Sequence, residues 1–97
     1  MTGLVFEDFK DRVGTTFTLA QEGFPPLSLV LETAEALVDH GGPAGRPPFS
    51  LILRCADPRV LQQQLYRMTQ AELGEVEIFI VPVGQNATGI EYQAIFN

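Results

Sequence analysis

A chain of 97 residues has room for one domain, 1–97, and one core, and folding at this size buries roughly 60–70% of the surface that the unfolded chain exposes. Apolar content of 45% excludes a disordered segment, while twelve acidic residues against one Lys and five Arg give a net charge of −6 and a mean field that repels nucleic acid and anionic membrane surfaces. A lone Cys55 excludes an internal disulfide, and no segment is long and apolar enough to span a bilayer.

In chain order, Glu7 and Asp8 are met with no basic leader before them, which predicts cytoplasmic synthesis, signal-less export as part of an assembly being the other route. Phe6, Phe9 and Val13 recur at helical spacing, with acids early, Lys10 and Arg12 late, and Gly14 placed as a C-terminal cap. The pattern predicts a two-turn helix whose Phe6, Phe9 and Val13 plug one end of a sheet.

Residues 15–21 are rich in β-formers and point Phe17 and Leu19 one way; the Gly23–Pro26 stretch then turns the chain back. Leu27, Leu29 and Leu31 share a face, predicting a strand over 27–33, after which 34–38 suits strand or helical turn. Three Gly and three Pro between His40 and Pro48 predict a surface loop. Arg46 in such a loop invites a phosphate-cradle reading, but no Gly-Lys-Ser/Thr follows and the prolines remove the amides that would hold phosphate.

A strand is predicted over 49–55, with Phe49, Leu51, Leu53 and Cys55 inward, Ser50 and Arg54 outward, and Ile52 left facing solvent or a partner. Asp57-Pro58 reads as a helix start, and Val60, Leu61, Leu65 and Met68 make a helical stripe, although 64–70 also reads as a strand after a single turn. The last two limbs form a hairpin. Residues 75–83 are apolar on both faces beyond Ile78, as in a strand covered on two sides, whereas 90–96 alternate Ile90, Tyr92, Ala94 and Phe96 with polar residues. Between them 84–89 offer Gly84, Gly89 and Asn86 for positive φ. Pro82 cannot donate a ladder hydrogen bond, so its strand must bulge there or lie unpaired on that side.

The motifs Phe49-Ser50-Leu51, Gln63-Gln64-Leu65-Tyr66, Leu73-Gly74, Pro82-Val83-Gly84 and the run from Gly89 to Asn97, Gly-Ile-Glu-Tyr-Gln-Ala-Ile-Phe-Asn, occur together. In these the chain resembles an uncharacterised family of short bacterial proteins, a domain of unknown function. The resemblance implies a β-protein in which 64–70 is extended, against the helical propensity of that segment. It also implies association with phage-tail-collar or tail-fibre-like proteins, hence an assembly role, and it brings no catalytic residues.

Candidates for chemistry are few. One histidine, His40, and one cysteine, Cys55, cannot build a zinc site within one chain, and a Cys-His nucleophile pair would need a loop histidine to reach a core-facing thiol. Ser28 and Ser50 lie mid-strand with no nucleophile elbow, and Glu75 and Glu77 read as a solvated strand face rather than a glycosidic acid pair. Asn86-Ala87-Thr88 matches a glycosylation sequon, but a turn explains its Asn. Tyr66, Tyr92, Phe79 and Phe96 read as core.

Six antiparallel strands, with sequential neighbours paired, are therefore expected in a small barrel or sandwich with the helix at one end. The functional expectation is a module with no enzymatic activity, cofactor or metal. It would engage a protein partner, or self-assemble, through a β-edge at Phe96-Asn97 with Ile52, Pro82 and Ile95 around it. A small-ligand barrel, with Tyr66 and Tyr92 facing a cavity, is the first alternative; an uncharacterised hydrolase is the second.

Overall fold

A computed structural model describes residues 5–20, 23, 25–37, 48–57 and 59–96. One short helix, α1 (Phe6–Lys10), precedes six strands: β1 (Thr16–Leu19), β2 (Leu27–Ala36), β3 (Phe49–Cys55), β4 (Gln64–Gln70), β5 (Gly74–Asn86) and β6 (Gly89–Phe96). All pairings are antiparallel, and they close in the order β1-β2-β3-β6-β5-β4, with β4 returning to β1. The mainly β fold and the extended 64–70 segment are as expected. The pairing of sequential neighbours fails once, because β3 lies beside β6 and not beside β4. Residues 59–63 cross one end of the ring, and β4 lies on the far side, between β5 and β1.

Alternation of side chains explains the core. Phe17 and Leu19 from β1, Leu27, Leu29 and Leu31 from β2, and Phe49, Leu51, Leu53 and Cys55 from β3 point inward. They meet Met68, Val76, Ile78, Ile80, Ile90 and Tyr92 from the other strands. Beyond Leu31 the phase of β2 shifts: a bulge between Leu31 and Thr33 turns Thr33 outward and Ala34 inward. That slip is why 34–38 lost its strand alternation in the sequence, although the strand runs to Ala36.

The helix is shorter than its pattern suggests. It ends at Lys10, the Asp8 carboxylate reaches back to accept the Val5 N–H at 2.9 Å, and Gly14 takes a φ of 93°. Val13 is exposed, because the turn that follows Lys10 rotates it off the buried face. Phe9 does plug the ring. Its ring centroid lies 6.1, 5.7 and 5.5 Å from those of Phe17, Phe49 and Phe96, and Phe49 stacks on Phe96 at 4.7 Å. A buried Phe contributes roughly 1.5–3 kcal/mol, so this cluster fixes the helix without a long helical run.

The opposite end is closed without a helix. Asp57 accepts the Arg59 N–H at 2.9 Å, but residues 59–63 run across the ring in extended and bent backbone. Leu61 N–H donates to the Tyr92 hydroxyl at 3.0 Å, and the Tyr66 hydroxyl donates to the Gln62 carbonyl at 2.8 Å. The predicted helical stripe is thereby dispersed: Val60 is exposed, Leu61 half-buried, Leu65 outward and Met68 inward. The loop 38–47 with His40 and Arg46, the residues Gln21, Glu22, Phe24 and Pro58, and the terminal Asn97 lie outside the described residues.

Candidate functional site

Ring closure decides which surfaces are available. β6 pairs with β3 from Ile90 to Phe96 but with β5 only from Gly89 to Gln93, so among the described residues Ala94, Ile95 and Phe96 are paired on the β3 side alone. Phe96, expected at that edge, is half-buried against Phe49 and Phe9. The expected β-edge is thus confined to these last residues of β6, and the rest of the predicted set is on a face. Ile52 lies on the outer face, half-buried between Thr33 and Gln93, and Ile95 is outward and 52% exposed beside Ser50. Pro82 pairs with Tyr92 and the register shifts between Pro82 and Gly84, making Val83 the extra residue; the expected bulge is present.

The largest departure from the sequence reading is on β5. Its apolar run suggested cover on both faces, and Phe79 suggested core; instead Phe79 is outward and 47% exposed. Directly across from it on β4 stands Leu65, 53% exposed. The β5–β6 ladder ends at Val81↔Gln93, and its register carried two residues past that end sets Ile95 at the level of Phe79 on the same outer face. Leu65, Phe79 and Ile95 thus form an apolar row on the outer face of β4, β5 and β6, directly paired between Leu65 and Phe79 and lying past the end of the β5–β6 ladder at Ile95. Val81 and Ile52, both half-buried, extend it toward the Pro82 bulge. The row was visible in the sequence as apolar residues at both parities of 78–83, a signal that cannot separate a covered strand from an uncovered one.

Charge borders the row. Glu77 faces Arg67 with Oε2 3.9 Å from Nη2, Glu75 sits across from Thr69, and Glu35 sits across from Ser50. On the other flank the Arg54 guanidinium lies 2.7 Å from Glu32 and 3.5 Å from Glu91.

A second concavity lies at the strapped end. A cleft of about 350 Å³ is lined by Leu19, Leu27, Leu61 and Tyr66, with Arg59, Gln62 and Gln64 at its polar side. Its polar groups are largely engaged. Arg59 donates from Nε and Nη2 to the two Asp57 carboxylate oxygens at 3.0 and 2.8 Å, and these contacts, followed by the Arg59 backbone N–H, hold the Asp57 carboxyl below its ordinary range. Burial pushes the Tyr66 and Tyr92 hydroxyls above their ordinary value, so both stay protonated as hydrogen-bonding groups. The ring interior itself is filled by the core, with Tyr92 fully buried.

The residues weighed for chemistry stay apart. Cys55 is buried in the core, Ser28 and Ser50 are on the outer face, Glu75 and Glu77 are exposed, and the expected His40 partner lies outside the described residues. Among the described residues no three His, Cys, Asp or Glu side chains cluster as metal ligands, and no helix is long and apolar enough to cross a membrane. No curated protein and no solved structure matches the chain. Residues 4–96 match the domain of unknown function DUF6916, and the chain belongs to that family.

Proposed function

We propose that this protein is a non-catalytic interaction module that docks a protein partner on the outer face of β4, β5 and β6. The observation that carries this reading is the exposed apolar row Leu65–Phe79–Ile95 on a sheet whose own core is already complete. A phenyl ring left half-exposed in mid-strand between two exposed aliphatic neighbours contributes little to the fold, and buried aromatics dominate interface energies. The partner we favour is a component of a larger assembly, of the tail-fibre-like kind implied by the resemblance, in a bacterial host.

The apolar cleft supports a second reading, binding of a small apolar ligand near Tyr66. Quantitative affinity capture from the native host separates the two. Phe79→Ser with Ile95→Ser should release the partner at least about tenfold, as expected for a central aromatic anchor, while leaving the melting curve near that of the unaltered protein. Capture that survives this change but is lost on Val60→Glu, at an exposed position lining the cleft, would favour the second reading.

A further inference from the structure

We propose that the occupant of the outer face is a different protein whose apolar contact is flanked by Lys or Arg, and not a second copy of this chain. This rests on the reading of the face as a docking surface. Two independent features of its border specify the chemistry.

The first is an imbalance on each flank among the described residues. Arg67 is the one guanidinium on the Glu75 and Glu77 side, and its contact with Glu77 is long and exposed, the kind of pair that solvent largely screens. Arg54 is shared between Glu32 and Glu91 on the other side. Glu35 has only the uncharged Ser50 and Ile95 beside it along its row. Each flank therefore keeps an excess carboxylate, and the overall charge of −6 adds to the same field.

The second is distance. Residues two apart on a strand are about 7 Å apart, so Glu77 lies within one Debye length of Phe79 at physiological salt. A partner side chain seated on the apolar row would place its own flanking groups against this border. Cations there gain Coulomb energy and speed encounter, whereas carboxylates lose it. A two-fold pair of this chain sets the same patch against itself, acid border to acid border, and the arrangement penalises that association at low salt.

The test is a random peptide library displayed on phage, selected on the protein and counter-selected on the Phe79→Ser/Ile95→Ser variant. The expected result is a set of binders with an apolar centre and an excess of Lys and Arg over the input library. Their affinity should fall at least about tenfold on the variant, and several-fold when salt is raised from about 50 to about 500 mM. Glu35→Lys with Glu75→Lys, which leaves the apolar row in place, should reverse the preference toward Asp and Glu. Binders that need Phe79 and Ile95 but show no cation excess overturn this inference and leave the docking face standing. So does a dimer of the unaltered protein, seen by sedimentation, that the Phe79→Ser/Ile95→Ser change dissolves. Binders indifferent to the variant, or none at all, count against the docking face itself.

Discussion

Gly89 answers to two constraints at one position. Its φ is 138°, and a Cβ built there would meet the Cys55 carbonyl oxygen at 2.2 Å, inside any tolerable contact. Gly74, with a φ of 75°, has open space around the same point. Gly74→Ala should therefore cost about 1–2 kcal/mol from backbone strain alone. Gly89→Ala adds displacement of β3 from β6 and should cost at least about 3 kcal/mol, or roughly 12–24 °C in the melting midpoint. Equal losses in the two melting curves would contradict this account of the turn. The sequence marked Gly84, Gly89 and Asn86 for one shared reason, positive φ, and of the three only Gly89 takes it. Asn86 keeps negative φ, and its Oδ1 accepts the Thr88 N–H and hydroxyl at 2.9 and 2.7 Å. The hairpin loop is accordingly tighter than 84–89, with β5 extending to Asn86 and only Ala87 and Thr88 between the strands.

Among the elements, β3 was legible from its regular period and has the boundaries its alternation indicated, whereas β4 has the 64–70 extent that the resemblance implied against its helical propensity. Elements that change phase were not, since a bulge in β2 inserts one residue and an apolar 78–83 run has no period to read. The strap 59–63 was least legible, because an Asp-Pro start and apolar residues at helical spacing are local signals, whereas its backbone is held by Tyr92, remote in sequence, together with the nearby Tyr66. Those tyrosines give the strap a pH dependence. Burial, first among the causes, raises both hydroxyls above the ordinary 10.0, opposed by their backbone hydrogen bonds. A raised value in the folded state means the stabilising contribution is fully present below the unfolded value and is lost as pH rises through the folded one. Unfolding free energy should then fall above pH 10.0, with Tyr66→Phe and Tyr92→Phe each reducing that alkaline slope. An unchanged slope in the double variant, measured by urea titration across pH, would place the alkaline transition elsewhere.

For the whole molecule, composition and turn signals were enough for a mainly β domain with an aromatic plug, but not for its topology. Which strand lies beside β6 depends on the path of 59–63 across the end of the ring, a choice that no period or propensity encodes. The exposed face was hidden for a related reason: whether the outer side of β5 is covered depends on what lies beyond the ring, and Phe79 carries the same residue type in either case. The acidic composition disfavours phosphate-backbone partners by its mean field, and the docking of a protein on the outer face is our proposal.

The contact that closes the ring, Thr18↔Thr69 and Leu19↔Met68, is only two pairs long and joins strands remote in sequence. It has a consequence in time as well as in space. Bringing these strands together costs loop-closure entropy that two pairs return only once the core beneath them is packed, so the seam should be unformed in the folding transition state. The β5–β6 hairpin, joined by a two-residue turn, is the natural early element. Leu19→Ala and Met68→Ala should accordingly speed unfolding with little change in the folding rate, giving φ-values near zero, while Ile90→Val in the hairpin should slow folding. Stopped-flow chevrons would show it, and a slowed folding limb for Leu19→Ala would mean that the ring closes early.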